Sequence, residues 1–212
     1  VTERIDHVVI PSSINDVLMA RIDRLDEKTR DLIKVASVIG RSFFYRILTE
    51  VAKTVDKIDV RLSYLKNIEL IRERQRMQEL EYLFKHALAQ EAAYESTLIQ
   101  QRKAIHLKVA QSIEKLFQDR LHEFYGMLAY HYGKGEDLEK AEEYLTKAGE
   151  EALRTSASNE ALSYFQQALR LYQDKYGSAV DSEKSAQFEK NIGMAFYHKG
   201  QYADAVKYLD RA

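Results

Sequence analysis

Apolar positions change their period between Leu83 and Tyr94. Phe84 closes a run of alternating character, and Ala87, Leu88, Glu91, Ala92 and Glu95 then fall at helical spacing. That switch predicts a strand that turns into a helix at His86. Before it the stripes are short. Ile5, Val8, Val9 and Ile10 alternate weakly and stop at Pro11, which reads as a linker or strand. Ser12 and Ser13 offer N-caps, Asp16 favours a first turn, and Ile14, Val17, Leu18, Ile22 and Leu25 share one face opposite Asn15, Arg21 and Asp23.

From Asp26 the pattern predicts three short helices. The first is capped by Asp26, buries Leu32, Ile33, Val35, Ala36 and Ile39, and stops at Gly40 in a left-handed conformation. Ser42 opens the second, with Phe44, Ile47, Leu48 and Val51 inward. Asp56 opens the third, with Ile58, Leu62 and Leu65 inward and Asn67 as C-cap. Two β-like runs, Ile68 to Arg74 and Leu80 to Phe84, then flank the polar turn Gln75 to Glu79. Three helices and a two-stranded wing are the pattern of a winged helix.

After Leu121 the chain becomes self-similar. Tyr125, Leu128, Ala129, Tyr132, Ala141, Leu145 and Ala148 fit the tetratricopeptide alternation of large and small residues. Ala148, Gly149, Ala152, Ala161, Phe165 and Ala168 fit it again, as do Ile192, Gly193, Phe196, Ala205, Leu209 and Ala212. Small residues let helices approach closely while aromatics fill the space beside them. The spacing departs from the roughly 34 residues of a regular repeat. Ala141 to Ala161 is 20 residues, so one helix, about Leu138 to Arg154, serves two hairpins. Ala161 to Ala205 is 44, which lengthens Ser158 to Lys175 and Glu183 to Lys199 around a polar link, Tyr176 to Asp181.

The expected fold is therefore mainly α, a winged-helix domain with a small two-stranded wing followed by a tetratricopeptide-like α-solenoid. A linker and lid helix occupy residues 1–25, the winged helix 26–99, a connecting helix 100–120 and the repeats 121–212. The chain starts at Val1 rather than Met, and its last helix leaves an apolar face. Both predict a piece of a longer protein, with the repeat array continuing past residue 212.

Charge narrows the function. The 212 residues carry 32 basic and 33 acidic side chains, a balance that argues against a chain built to coat nucleic acid or an anionic membrane. Residues 1–120 hold 21 basic and 18 acidic residues, short of a DNA-binding footprint. In the third helix Lys57, Arg61 and Lys66 are opposed by Asp56 and Asp59. In the wing, Arg72, Arg74 and Arg76 are opposed by Glu69, Glu73 and Glu79. The absence of cysteine removes thiol chemistry and suits a reducing cytoplasm, and no apolar run approaches the roughly 20 residues that span a bilayer. The lysines of the connecting helix are diluted by Glu114 and Asp119, which favours a core-and-solvent helix over a membrane-surface one. No phosphate-cradling glycine loop occurs, and the six histidines and paired glutamates lack metal-binding or catalytic spacing. The expectation is a chain with no catalytic and no metal-binding residues.

His86 stands at a helix start, where free amides favour anions, so it could touch phosphate; the alternative is a histidine that only caps and packs. On the repeats, the first-helix positions Tyr130, Lys134, Glu143, Glu150, Arg154, Gln187, Lys190, Met194, Tyr197 and His198 project as a concave face suited to a protein or peptide partner.

Four runs together carry a resemblance. They are Ile10-Pro11-Ser12-Ser13-Ile14, Ala20-Arg21-Ile22-Asp23-Arg24-Leu25, Ala36-Ser37-Val38-Ile39-Gly40-Arg41-Ser42-Phe43, and Phe84-Lys85-His86-Ala87-Leu88 continued by Gln90-Glu91 and Ala93-Tyr94. In order and spacing they resemble the regulatory region of the bacterial signal-transduction ATPases with numerous domains, which often accompany class III adenylate or guanylate cyclases. The resemblance implies a piece lying downstream of a nucleotide-binding domain that would hold ADP or ATP and Mg²⁺ in cis, with no cofactor in this chain itself. In that family a winged-helix histidine reaches the phosphates of bound ADP and keeps the switch closed, and His86 matches it by position. The related Met-His-Asp triplet stands here as Lys85-His86-Ala87, without the acid. Two other readings stay open: a transcription regulator whose winged helix contacts DNA, and a plain repeat scaffold.

Overall fold

Asp26 sets a firm boundary early in the chain. Its carboxylate accepts the Thr29 hydroxyl at 2.5 Å and the Thr29 amide at 3.2 Å, and those bonds, with Arg61, hold its carboxyl below the usual aspartate range. It thereby caps α2 (Glu27–Ile39), which follows α1 (Ile14–Asp23). The computed structural model describes residues 14–177 and 181–212. The predicted strand or linker up to Pro11, the Ser12 and Ser13 caps and the centre of the Tyr176–Asp181 link lie outside the described residues. Gly40 ends α2 at φ 147° and ψ −173°, a positive-φ extended conformation rather than the left-handed helical one expected.

The next element differs from the sequence reading. Ser42–Phe44 is a strand, β1, and the helix α3 begins only at Tyr45 and runs to Val51. Phe43 and Phe44 are both buried, and Phe43 stacks on Tyr82 at 5.8 Å and meets the edge of Phe84 at 5.9 Å. Two adjacent buried aromatics suit a short strand between a sheet and a helix layer, but three residues are too few to show alternation. After α4 (Ile58–Asn67), β2 (Ile71–Arg76) and β3 (Glu79–Phe84) complete an antiparallel sheet of order β1-β3-β2. The sheet thus has three strands, not two. The hairpin turn is also tighter than expected: Arg76 pairs with Glu79, so only Met77 and Gln78 lie between, both at positive φ. Paired positive φ is the two-residue turn that matches strand twist, and non-glycine residues carry it here.

The chain divides into two compact units, Val1–Ile105 and His106–Ala212. In the first, α5 (Ala87–Glu95) packs on α1 and α2, over a core of Leu32, Ile33, Ile47, Leu48, Leu62 and Leu65, each 1% exposed or less. The division falls within α6 (Ile99–Leu116). The second unit continues through a 3-10 segment, Gln118–Phe124, where Phe117 stacks on Phe124 at 4.3 Å. Next come α7 (Tyr125–Lys134), α8 (Leu138–Arg154), α9 (Ser158–Tyr176), α10 (Ser182–His198) and α11 (Tyr202–Leu209), each packed on the next. α8 lies against both α7 and α9, the shared helix that the 20-residue spacing required.

Small residues make these contacts close. A Cβ on Gly149 would fall against Phe165 Cε1 and 2.7 Å from its Cδ1, and Phe165 is 1% exposed in a cluster with Ala152, Ala161, Ile192 and Ala195. α6, α7 and α8 meet at one carboxylate. Glu114 accepts the hydroxyls of Tyr132 and Tyr144, each at 2.6 Å, and Lys140 Nζ at 2.8 Å. Burial pushes its carboxyl up, but the bonds from Lys140, Tyr132 and Tyr144 outweigh that and hold it below the usual glutamate range.

Two stability predictions follow from this packing. Gly149→Ala should destabilise the protein by about 1–3 kcal/mol through overpacking. Gly133→Ala, whose Cβ would meet only Ala141 Cβ at 3.8 Å, should instead stabilise it by up to about 1 kcal/mol through helix propensity; urea unfolding of both variants checks the opposite signs. Because the folded Glu114 carboxyl is depressed, its contribution is present above the unfolded value of about 4.3 and is lost as pH falls through the folded one. Glu114→Gln should cost about 1–3 kcal/mol at neutral pH, and the gap to the parent should close as the denaturation series is taken into acid. A gap that does not change with pH would count against that account.

Candidate functional site

Phe84 ends β3 with its amide donating to the Arg41 carbonyl at 2.9 Å, and the Lys85 amide donates to the Leu70 carbonyl at 2.9 Å. His86 follows as the N-cap residue of α5 at φ −124° and ψ 135°, and Gln90 Nε2 ties the first turn to the Ser37 carbonyl at 2.7 Å. The backbone around His86 is thus held from the residue before β1, from the chain before β2 and from α2. Its ring is exposed, makes no capping bond, and enters no hydrogen bond among the described residues. Beside it Lys85 pairs with Glu69 at 2.9 Å; the hydrogen bond from Lys85, its charge and a smaller pull from His86 hold the Glu69 carboxyl below its usual range. A strand that delivers an imidazole to a helix start, with no side chain occupying the cap, can present that ring and the first-turn amides to an anion.

Four of the six cations that a DNA contact would use, Arg61, Lys66, Arg74 and Arg76, are held in ion pairs. Arg61 pairs with Asp26 at 2.6 Å and Asp56 at 3.3 Å, and Lys66 pairs with Glu73 at 2.7 Å. Arg74 and Arg76 both reach Glu81, which is 1% exposed. Burial pushes the Glu81 carboxyl up, yet the bonds from Arg74, Ser42 and Arg76 bring it below the glutamate range. Two arginines held by one buried carboxylate have little left for phosphate.

On the second unit the ten residues projected as one concave face are placed on two sides of the helix stack. Tyr130 and Lys134 line a groove of about 410 Å³ between α7 and α9, floored by Ala129, Gly133, Ala141 and Leu145. Glu143, Glu150 and Gln187 line a second groove, of about 450 Å³, between α8 and α10, with Lys184 and Phe188. Arg154 is exposed and bonded to Glu151, while Lys190, Met194, Tyr197 and His198 lie exposed on α10, where Tyr197 meets His198 and Tyr202.

The structure also adds residues that the sequence reading left out. Tyr164, Gln167, Arg170 and Asp174 of α9 form the far wall of the α7–α9 groove. Their stripe at helical spacing was available, but the adjacent Ala161, Phe165 and Ala168 stripe marked α9 as a packing helix. Two of the six scattered histidines meet: His106 Nδ1 lies 2.8 Å from His131 Nδ1, both rings 1% exposed. No sequence spacing connects them, since they come from α6 and α7. Among the described residues no group of three or more His, Cys, Asp or Glu could hold a metal ion, and no helix is long and apolar enough to cross a membrane.

No protein-family model and no curated protein matches the chain. Among solved structures it is similar to a signal-transduction ATPase with numerous domains that carries a tetratricopeptide repeat sensor, from Pyrococcus horikoshii, at a TM-score of 0.40 and 16% identity. The alignment covers 95% of this chain and 46% of that one, so this chain spans about half of that protein's length.

Proposed function

We propose that this chain is a non-catalytic regulatory part of a multidomain cytoplasmic signalling ATPase, with a winged-helix switch in the first unit and tetratricopeptide-like repeats that bind a protein partner in the second. ADP or ATP and Mg²⁺ belong to a nucleotide-binding domain in cis. His86 donates a hydrogen bond to a phosphate of bound ADP and so stabilises the closed state. Partner engagement by the repeats favours the state in which that contact is absent, and the affinity of the partner for the two states sets the shift.

The observation that carries this reading is His86 itself. It matches the family's phosphate-reaching histidine by sequence, and its exposed ring sits on a backbone fixed from three directions. A histidine that merely capped α5 would bond the first-turn amides, and this one does not. The DNA-binding alternative draws no such support, because Arg61, Lys66, Arg74 and Arg76 are held in internal ion pairs.

The test uses the full-length parent protein. His86→Leu removes one charge-assisted hydrogen bond, about 1.5–3 kcal/mol, so ADP should dissociate roughly ten- to a hundredfold faster and basal output should rise. Partner binding measured on the isolated nucleotide-free protein should not change. ADP retention and output equal to the parent's would sink the switch.

A further inference from the structure

The two grooves of the repeat unit have opposite electrostatic character. The α8–α10 groove carries Glu139, Glu142, Glu143 and Glu150 against Lys147 and Lys184, and both lysines are used within it, on Glu143 and Glu142 at 2.5 Å each. The α7–α9 groove carries two cations, Lys134 and Arg170, against the single carboxylate of Asp174. Neither cation enters an ion pair among the described residues, and Lys134 Nζ stands 5.9 Å over the ring of Tyr130. Uncommitted cations beside an aromatic ring at the rim of an apolar floor lack only an anion.

The floor is open as well as apolar. A Cβ on Gly133 would touch nothing nearer than Ala141 Cβ at 3.8 Å, so the small residues there leave room for an incoming side chain. One end of the groove is closed, because the Tyr164 hydroxyl would stand 2.5 Å from a Cβ on Gly126. Tyr130 and Tyr164 thus bracket the space, with Lys134 and Arg170 along its margins.

We propose that the α7–α9 groove is the docking site for an acidic peptide segment of the partner, which lays an apolar side chain on the Gly133–Ala141 floor and sets carboxylates against Lys134 and Arg170. This rests on the reading that the repeats bind a protein partner, and it names the partner's chemistry. The aromatic bracket supplies the apolar contact and the cations supply orientation and charge selection, the usual division of labour in peptide recognition.

The chain of 212 residues is panned against a phage-displayed random-dodecapeptide library, and the enriched sequences are synthesised with a fluorescent label for titration. Enriched peptides should be net acidic and carry at least one aliphatic or aromatic residue. Lys134→Glu and Arg170→Glu should each weaken them about tenfold or more, with affinity falling as salt rises. Gly133→Leu, which fills the floor without a backbone clash, should abolish binding, and a charge reversal outside both grooves at the exposed Asp210, Asp210→Lys, should leave it intact. Thermal unfolding of each variant controls for folding. Enriched peptides that are neutral or basic, or that ignore both charge reversals, overturn the acidic-segment proposal while the partner-binding reading stands. If no peptide enriches over a blocked surface, both fall.

Discussion

α8 can lie against α7 and α9 at once because the faces it offers them are paved with small side chains. Gly149 and Ala152 let Phe165 of α9 come so close that no Cβ fits at position 149. Close approach brings dispersion contacts and excludes water from Ala161, Ile192 and Ala195 around the same ring. Lengthening those side chains would push the helices apart and open the stack. The Glu114 cluster works on the same helix from the other direction. A single carboxylate gathers Tyr132 from α7 and Tyr144 and Lys140 from α8, and Tyr132 and Tyr144 are stacked 5.7 Å apart, almost parallel. Apolar packing brings the helices together, while the carboxylate fixes how they are turned about their axes, since its oxygens accept only along particular directions.

The grooves follow from this arrangement. With α8 beneath, α7 and α9 stand as two walls over a floor of small residues, whereas the groove between α8 and α10 is lined by charged and polar side chains and Phe188. The walls differ in charge because the lysines of the α8–α10 side are bound to its glutamates, whereas Lys134 and Arg170 have no such partners among the described residues. In the first unit the balance falls the other way. There Arg61 of α4 and Arg74 and Arg76 of the sheet are held by Asp26, Asp56 and Glu81, while the exposed His86 ring at the junction of β3 and α5 enters no hydrogen bond among the described residues.

Much of this was legible in the residues. The helix of Leu138 to Arg154, the helix boundary at Asp26 and the change from strand to helix at His86 each rest on local rules, a period or a cap, and the structure has them at those positions. Ser42 reads as a helix start yet opens β1, because a serine before a hydrophobic run looks the same when the run is a strand of three residues. Only pairing with β3, some forty residues later in the chain, decides the matter. The projected concave face was drawn from a repeat template that the irregular spacing does not follow, and so it joined residues of α7 to residues of α8 and α10 that face different grooves.

By itself, then, the sequence determined most of the helical segments, the small residues at the close contacts and the near balance of basic and acidic side chains in the first unit, because period, side-chain size and charge are properties of the residues themselves. Tertiary structure alone decided that Tyr164 and Arg170 stand across from Tyr130 and Lys134, that His106 meets His131, and that Glu114 holds two tyrosines. Those pairings join residues from different helices, and the angle at which one helix crosses another is set by the sum of all their contacts, which no local pattern records.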